Sequence, residues 1–442
     1  MRKLYSFVLW LIQPLYLLKL LWRSRTEPLY RHALLQRWGH YAPLDPTMNM
    51  PMQPRLWLHA VSLGETRAAA ALVKALRQEC PGLRLLLTHG TATGWQAGSE
   101  ILRPGDVQAW LPLDTPAAVR RFLNHFRPCA GVLLETEIWP NLIHQSRQRG
   151  IPVLLANARL SERSLRKASR MSGLIQPAVE SLSFVLAQSE ADLLRFRKAG
   201  VKPEFSGVFG NVKFDMNPDA GQLSQGRFLR NQLSRPVILA ASTREGEEPL
   251  LLQAWRTQME ALREGQTRPL LLLVPRHPQR FDEVARIIQA HGLRFLRKSE
   301  TLILQGASIG REIDVLLGDS IGELAFYYAM SDVALLGGSF APLGGQNLIE
   351  AAACGCPVVM GPHTFNFRQA ADWALAAGAA QQVSDIAAGV HVAMALAQSD
   401  ELINLTEKAT LFAKKHRGAS KIMAQKISHY FGLRNLCKTP HG

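Results

Sequence analysis

Several common catalytic signatures are missing from this sequence of 442 residues. It has no phosphate-binding P-loop, no G-x-G-x-x-G after its first predicted strand, and no G-x-S-x-G nucleophile elbow. It also lacks an Asp-x-Asp pair, and the nearest pair of acids is Glu135-Thr136-Glu137. The sequence therefore argues against P-loop hydrolases, dinucleotide enzymes with the fingerprint at the first strand, and serine hydrolases of the elbow type.

Cysteine and acidic residues are both scarce. The five cysteines are odd in number and lack the spacing of a metal site, so we expect free thiols in a reducing compartment. Only 35 Asp and Glu residues stand against 51 Lys and Arg residues, and the formal net charge is +16. Such a surface favours nucleic acid, anionic lipid or phosphorylated substrates. No RNA-binding or zinc-finger signature occurs, so we expect no nucleic-acid partner, and no protein partner is indicated.

The N-terminus carries a long apolar segment. Residues 4–22 are interrupted only by Ser6, Gln13, Pro14 and Lys19, and their number is close to the ~20 residues that span a bilayer. No small-residue cleavage site follows, so we expect a retained membrane anchor that spans weakly or lies in the membrane surface. The alternative is an apolar first helix packed on the protein. The basic residues after the segment predict that the following chain is cytoplasmic.

Short apolar runs alternate with amphipathic runs along the rest of the chain, which predicts parallel sheets with helices between their strands. The predicted strands fall into two series, 56–59, 83–88, 131–134, 153–156 and 184–187, then 237–241, 270–274, 315–317, 333–336 and 357–360. We therefore expect an α/β protein with two doubly wound Rossmann-like domains that face a central cleft.

The chain length and a polar stretch between the two series set the predicted domain boundaries. With 47% apolar and 19% charged residues, the composition is that of a folded globular protein. The predicted segments are an anchor helix (1–24), a first domain (25–214), a linker (215–235), a second domain (236–400) and a C-terminal helical segment that packs back on the first domain (401–442).

Residues 56–67, LWLHAVSLGETR, read as a strand, a turn and a helix start. Glu65 lies in the turn, at the carboxyl end of a strand, where open α/β sheets bind ligands. A carboxylate next to the N–H groups of a helix start can serve as a general base. The alternative is an acidic residue that only complements the helix dipole, and this segment alone favours neither.

Polar residues follow the first two strands of the second series. Ser242 and Thr243 fit a helix cap or an anion contact. Arg276 stands between two prolines, a rigid mount for a guanidinium that faces phosphate or carboxylate. A nucleoside monophosphate leaving group carries less charge than a diphosphate, so Arg276, Lys213 and helix N-termini could stabilise it without a metal.

Glycine-rich turns follow a later strand of the same series. The turns 337–339 and 344–347 let the backbone approach a ligand closely and offer N–H groups to a phosphate. Glu350 comes three residues after Asn347, so both side chains can face one pocket. A carboxylate there can accept hydrogen bonds from ribose hydroxyls. Together these strand ends predict a nucleotide site in the second domain.

Eleven segments spread over nearly the whole chain follow the pattern of one family. They are HAVSLGE (59–65), ETEIWPNL (135–142), ANARLSERS (156–164), AQSEAD (187–192), GNVKFD (210–215), ASTREGEE (241–248), VPRHPQRF (274–281), GDSIGEL (318–324), GGSF (337–340), GGQNLIEAA (344–352) and GPHTFNF (361–367). With these segments and its apolar N-terminus, the chain resembles the 3-deoxy-D-manno-octulosonic acid (Kdo) transferases of lipopolysaccharide synthesis.

The resemblance implies a membrane-associated, inverting glycosyltransferase with the two-domain GT-B arrangement. Such an enzyme moves Kdo from CMP-Kdo to the lipid A precursor lipid IVA and releases CMP. The resemblance makes Glu65 the general base and makes Glu135 and Lys213 transition-state stabilisers. The implied CMP contacts are Pro275, Arg276, Ile321, Gly322, Glu323, Asn347, Leu348, Ile349 and Glu350. No essential metal or other cofactor is expected, and the anionic inner-membrane surface is an expected partner.

The sequence departs from the family pattern at Gln346, where many relatives have His, and at Leu348 and Ala351, where they have Pro. Gln keeps a donor and an acceptor but cannot become cationic, so it cannot replace an ionised His at phosphate. Glu137 is an alternative to Glu135. Two other functions stay open, namely another sugar-nucleotide enzyme, such as an epimerase or a transferase with a different lipid-linked acceptor, and a basic, membrane-anchored binding protein.

Overall fold

The computed structural model describes residues 1–43, 55–300 and 309–433. The chain divides into two compact units, one formed by residues 1–216 and 417–442 and the other by residues 217–416. Each unit is built on a seven-stranded sheet in which every pairing described is parallel. The predicted α/β class with two Rossmann-like domains is confirmed.

The first unit has the strand order β3-β2-β1-β4-β5-β6-β7. Its strands are β1 (Arg55–His59), β2 (Arg84–His89), β3 (Val107–Trp110), β4 (Ala130–Leu134), β5 (Val153–Ala158), β6 (Phe184–Ala187) and β7 (Ser206–Val208). Its helices are α1 (Arg2–Arg23), α2 (Leu63–Glu79), α3 (Ala92–Ser99), α4 (Pro116–Phe126), α5 (Pro140–Gln148), α6 (Glu162–Arg170), α7 (Ser172–Glu180), α8 (Glu190–Lys198) and, after the second unit, α17 (Ala419–Phe431).

The second unit has the strand order β10-β11-β9-β8-β12-β13-β14. Its strands are β8 (Val237–Thr243), β9 (Leu270–Pro275), β10 (Phe295–Arg297), β11 (Val315–Leu317), β12 (Val333–Leu336), β13 (Val358–Met360) and β14 (Ala380–Gln382). Its helices are α9 (Ala220–Gln232), α10 (Glu247–Glu260), α11 (Phe281–Ala290), α12 (Leu324–Ala329), α13 (Leu348–Ala353), α14 (Arg368–Ala376), α15 (Ile386–Ala397) and α16 (Glu401–Lys415).

Strand β1 shows why the central strands read as unbroken apolar runs. Leu56 and Leu58 pack into the core on one face of the sheet, and Trp57 packs into the core on the other. All three side chains are fully buried. Because helices cover both faces of a parallel sheet, each position of such a strand needs an apolar side chain.

Both sheets reverse their strand order next to their first strand. In the first unit the reversal falls between β1 and β4, and in the second between β8 and β12. Ligands in open α/β sheets bind outside the carboxyl ends of the strands at this reversal. The loops that follow these four strands are therefore the places to look for functional side chains.

The chain crosses between the units at places that differ from the predicted boundaries. Most of the stretch assigned to a linker forms α9, which packs on α12 inside the second unit. A Cβ at Gly226 would lie 2.4 Å from the carbonyl oxygen of Phe326, so only glycine permits this packing. The C-terminal segment also divides, between His416 and Arg417, with α16 in the second unit and α17 packed on α2 in the first.

The cysteines follow the expectation of free thiols only in part. Cys129, Cys354 and Cys356 are free. Cys80 is disulfide-bonded, which contradicts the prediction for that residue. Cys437 lies outside the described residues.

Helix α1 is long and apolar enough to cross a membrane, and one face of it lies on the first unit. Asn141 Nδ2 donates to Ser6 Oγ at 3.0 Å, and Trp38 Nε1 donates to Gln13 Oε1 at 2.7 Å. Leu20, near the end of the helix, is buried. The exposed large apolar residues of the helix are Leu4, Phe7, Val8, Trp10, Leu11, Ile12, Leu15, Leu18, Leu21 and Trp22. The helix therefore fits an anchor.

Candidate active site

Glu65 lies in the first turn of α2, directly after the loop that follows β1. Its Oε2 accepts a hydrogen bond from the backbone N–H of Val61 at 2.6 Å, and its own N–H points to Ser62 Oγ at 3.5 Å. This reciprocal pattern resembles a capping box, which satisfies N–H groups at a helix start. Glu65 thus also satisfies an N–H group next to the helix start, and the same contacts hold its carboxylate at the strand reversal.

The ionisation of Glu65 differs from that of an ordinary surface carboxylate. Burial raises its pKa to about 7, and the negative charges of Glu135 and Glu137 add to the rise. The Val61 hydrogen bond and the charge of Lys213 act in the opposite direction. A general base is most effective when its pKa lies near the working pH. The surroundings of Glu65 therefore suit the role that the sequence predicted for it.

Glu135 and Lys213 form an ion pair beside Glu65. Lys213 Nζ lies 2.8 Å from Glu135 Oε1, and both side chains are largely buried. Glu135 follows β4 and has φ 57°, a left-handed backbone conformation that costs a non-glycine residue about 1–3 kcal/mol. Strain of this kind persists where surrounding structure enforces it, and it concentrates at functional sites. The structure thus brings all three predicted catalytic residues to one edge of the first sheet.

A network of amides holds the loop that carries Lys213. Asn211 Oδ1 accepts the N–H of Lys213 at 3.0 Å, and Asn157 Oδ1 accepts the N–H of Val212 at 3.2 Å. Gln188 links the two asparagines, since it accepts from Asn211 and donates to the carbonyl of Asn157. Asn157 also has a positive φ, 51°. These amides were not predicted, although they lie inside three of the matching sequence segments.

Glu137, the alternative to Glu135, has different partners. Its Oε2 accepts a hydrogen bond from Trp139 Nε1 at 2.9 Å and lies 3.8 Å from Nε2 of the buried His59. The described ion pair of Lys213 is with Glu135. The geometry therefore favours Glu135 as the carboxylate that acts together with Lys213.

The predicted CMP contacts of the second unit lie in loops after β9, β11 and β12. Pro275 ends β9, and the exposed Arg276 donates its backbone N–H to the carbonyl of Thr243 at 3.0 Å. After β11, the side chain of Ile321 is exposed and Gly322 has φ 83° with open space around its Cα. Glu323 is paired with Lys298, whose Nζ lies 2.7 Å from a carboxylate oxygen.

The third loop of this set leads into α13. Asn347 Oδ1 caps the helix by accepting the N–H of Ile349 at 3.2 Å. Leu348 and Ile349 are buried, so their side chains belong to the core. Glu350 lies in the first turn of the helix and remains partly exposed. Asn347 and Glu350 thus place polar side chains at the start of α13, next to the partly exposed Gln346 of the preceding turn.

A buried carboxylate, Glu247, organises the glycine turn after β12. It accepts hydrogen bonds from the N–H groups of Arg244 (2.9 Å), Gly338 (2.7 Å), Phe340 (3.3 Å) and Ala341 (3.3 Å). Of the N–H groups that the sequence assigned to a phosphate, that of Gly338 is therefore engaged by Glu247, and those of Gly337 and Gly345 donate to backbone carbonyls. The sequence analysis did not predict a role for Glu247, although this residue lies in the matching segment ASTREGEE (241–248).

Ser242 and Thr243 do not cap α10. The helix starts at Glu247 after Gly246, which has φ 87°. Thr243 belongs to β8, where its hydroxyl donates to the buried Glu248 at 2.9 Å. Ser242 has φ 57° at a register shift in the same strand. Both residues shape the strand end rather than the helix start.

No group of three or more His, Cys, Asp or Glu side chains that could hold a metal ion occurs among residues 1–43, 55–300 and 309–433. Glu135 is paired with Lys213, Glu137 accepts a hydrogen bond from Trp139, and Glu65 accepts one from the N–H of Val61. Metal independence remains a prediction at this point.

Solved structures resemble this chain over most of its length. The S. aureus MnaA-UDP co-structure matches with a TM-score of 0.57 and 15% identity, covering 88% of this chain and all of that one. Anabaena HepE in complex with UDP-glucose matches with a TM-score of 0.55 and 15% identity, covering 86% of this chain and 99% of that one. At this identity the likeness concerns the fold alone. With the two parallel sheets and their strand-end side chains, it defines the class as a two-domain α/β protein of the GT-B type.

Sequence comparisons identify the family. Residues 32–216 match the family described as 3-deoxy-D-manno-octulosonic-acid transferase (kdotransferase). The 3-deoxy-D-manno-octulosonic acid transferase of Bordetella pertussis is 43% identical over 98% of this chain and the whole of that protein. The protein of the same name from Haemophilus influenzae is 36% identical over 83% of each chain. The chain belongs to the Kdo transferase family and is a glycosyltransferase of lipopolysaccharide biosynthesis.

Proposed function

We propose that this enzyme transfers Kdo from CMP-Kdo to lipid IVA with inversion at the anomeric carbon, and that Glu65 is its general base. The observation that carries the proposal is the raised pKa of Glu65, about 7, beside the Glu135–Lys213 pair. Such a carboxylate is available as a base near neutral pH and becomes a better proton acceptor than an ordinary glutamate.

In the proposed reaction, Glu65 takes the proton from a hydroxyl of the acceptor. The hydroxyl oxygen forms a bond to the anomeric carbon of Kdo while the bond between that carbon and the phosphate oxygen breaks. The electron pair of the broken bond leaves with CMP, and the proton stays on Glu65 until solvent removes it. A single displacement of this kind inverts the configuration of the anomeric carbon.

Glu135 and Lys213 stabilise charge during this step. The anomeric carbon becomes positive in an oxocarbenium-like transition state, and a nearby carboxylate such as Glu135 stabilises it. Lys213 neutralises the carboxylate of the sugar or the phosphate of the leaving group. The 2.8 Å ion pair keeps both side chains in place before the substrates bind. Their charges thus need little reorganisation during the reaction.

The second unit holds the nucleotide in this proposal. Arg276 contacts the phosphate of CMP, and Asn347 and Glu350 reach the nucleoside from the loop before α13. The exposed position of Arg276 and the partly exposed Glu350 support these roles. A nucleoside monophosphate leaves with less charge than a diphosphate, so these side chains suffice without a metal. Transfer should therefore continue at an unchanged rate in excess EDTA.

The enzyme is placed at the inner membrane, with both units on the cytoplasmic side. Helix α1 lies in the plane of the membrane surface in this proposal, since Ser6, Gln13 and Leu20 attach its inner face to the first unit along its whole length. The exposed apolar face enters the lipid, as in interfacial helices. This position brings the first unit to the membrane in which the lipid acceptor resides.

The direct test is transfer by the purified full-length chain. With CMP-Kdo and lipid IVA, mass spectrometry should show a product heavier by one or more Kdo residues. One molecule of CMP should be released for each Kdo that is transferred. UDP-sugars should give no product. Product from a UDP-sugar, or release of CMP without any gain in acceptor mass, would contradict the proposed donor or acceptor.

A further inference from the structure

A cavity of about 600 Å³ lies in the first unit beside the start of α1. Helices α1, α5 and α7 supply its walls. This volume falls within the range of small-molecule sites, roughly 300–1,000 Å³. None of the predicted catalytic or CMP-binding residues lines the cavity. It is therefore a separate feature of the molecule.

Positive charge converges on the cavity from two helices. Arg2 of α1 and His144 and Arg147 of α5 line it, and Arg147 donates to Ser181 Oγ at 3.0 Å. Burial lowers the pKa of His144, and the positive charges of Arg2 and Arg147 lower it further, so the two arginines carry the positive charge at the cavity. Glu180 is the acidic residue in the lining, and it accepts a hydrogen bond from Gln176. An anion in the cavity would be attracted by Arg2 and Arg147.

An apolar part of the lining leads to the start of the anchor helix. Leu174, Pro177 and Ala178 form apolar wall, and a Cβ at Gly173 would lie 3.2 Å from the side chain of Met1. From there the exposed apolar face of α1 runs away from the cavity. A ligand that is anionic at one end and apolar along its length would use both surfaces. A small soluble anion would use only the first.

We propose that this cavity binds the phosphate headgroup of one anionic glycerophospholipid, whose acyl chains lie along the exposed apolar face of α1. The proposal rests on the membrane placement of α1 proposed above. The bound lipid would fix the first unit on the membrane at a defined site, in addition to the diffuse attraction between a basic protein and an anionic surface.

The test counts lipid molecules that stay on the protein. The full-length chain is loaded with phosphatidylglycerol, exchanged into a neutral detergent and examined by native mass spectrometry. We expect one retained phosphatidylglycerol per wild-type chain. Arg147→Ala should retain less of it because one positive charge is gone. Gln148→Trp should also retain less, because the larger side chain fills the cavity; the exposed Gln148 lines the cavity without bearing charge. Arg120→Ala, an equal loss of charge on an exposed residue of α4, should retain it.

The affinity for short-chain phosphatidylglycerol, measured below the critical micelle concentration of this lipid, gives the size of each variant's effect on binding. Arg147→Ala should weaken it about fivefold, the usual effect of one basic residue at an anionic lipid surface. Equal retention by all four proteins would overturn the proposal, as would glycerol 3-phosphate binding as tightly as the lipid. Neither readout requires Kdo transfer, so failure here would leave the catalytic proposal standing, and failure of transfer would leave this one standing.

Discussion

The two sheets have the same number of strands and the same kind of order reversal, but they use their carboxyl ends differently. The first unit places ionisable side chains there, and Glu65, Glu135 and Lys213 interact with one another. The second unit places a backbone turn there and uses the buried Glu247 to hold it. The acids after the strands of the first unit thus interact with other charged side chains, whereas Glu247 holds the shape of a backbone turn.

The comparison shows that similar residues serve opposite purposes according to their partners. Glu65 and Glu247 are both glutamates near a helix start, and burial raises the pKa of each. Glu247 accepts four backbone N–H bonds, so its carboxylate is committed to structure. For Glu65 one backbone bond at 2.6 Å is described, and the neighbouring acids Glu135 and Glu137 oppose its ionisation. We therefore expect replacement of Glu247 to reduce stability and replacement of Glu65 to reduce the rate of the proposed reaction.

Replacing the proposed base should give the largest effect. Glu65→Gln keeps the acceptor for Val61 N–H but cannot take a proton, so kcat should fall by roughly 10²–10⁴-fold. The measurement is the initial rate of Kdo transfer under saturating substrates. Glu204→Gln, an exposed acid of the same unit, is the matched control and should retain the full rate. A Glu65→Gln enzyme within twofold of wild type would remove Glu65 as the base.

Removing the structural carboxylate should affect stability before rate. Glu247→Ala leaves several buried N–H groups without an acceptor, which should cost about 2–5 kcal/mol of unfolding free energy. Urea unfolding of the full chain, followed by a probe in the second unit, measures this cost. Glu245→Ala removes an exposed neighbour and should change stability by less than about 0.5 kcal/mol. Equal stability of the two variants would contradict the role given to Glu247.

Arg276→Ala tests whether the second strand end binds phosphate. Loss of one charged hydrogen bond should weaken CMP binding by about 1–3 kcal/mol, read by calorimetry. Arg256→Ala removes an exposed arginine of α10 in the same unit and should leave the affinity unchanged. If CMP binds equally well to both variants, Arg276 does not contact the nucleotide.

The raised pKa of Glu65 also predicts a small dependence of stability on pH. Because its folded pKa lies above the value of 4.5 for an ordinary glutamate, folding favours the protonated form. This contribution is complete below about pH 4.5 and is lost as pH rises through about 7. Glu65→Gln cannot lose it, so the stability of wild type should fall relative to that of the variant over this range. Parallel stability curves would contradict the raised pKa.

The sequence predicted the central strands well and missed the edges. Strands β3, β7, β10 and β14 were absent from the prediction, and they are the four edges of the two sheets. Each is three or four residues long and only partly buried. A strand with neighbours on one side needs no continuous apolar run, so hydrophobicity alone cannot reveal it.

The sequence was sufficient to predict which residues form the candidate site, but not which residues contact one another there. Glu65 was visible because a turn placed it at a strand end, and Arg276 because prolines surround it. The pairing of Lys213 with Glu135 rather than Glu137 depends on a left-handed residue after β4, which no sequence pattern marked. The same holds for Glu247, whose four N–H partners come from two loops about ninety residues apart. Contacts between distant segments are what the fold adds to the sequence.

The pH dependence of kcat/KM, in wild type and in Glu135→Gln, tests the assignment of the base most directly. The wild-type profile should rise with a midpoint near 7, where Glu65 loses its proton. In Glu135→Gln the midpoint should move to lower pH, because a repelling charge is gone and Lys213 no longer has that partner. A wild-type midpoint near 4.5, or a midpoint that stays in place in the variant, would contradict Glu65 as a base tuned by its neighbours.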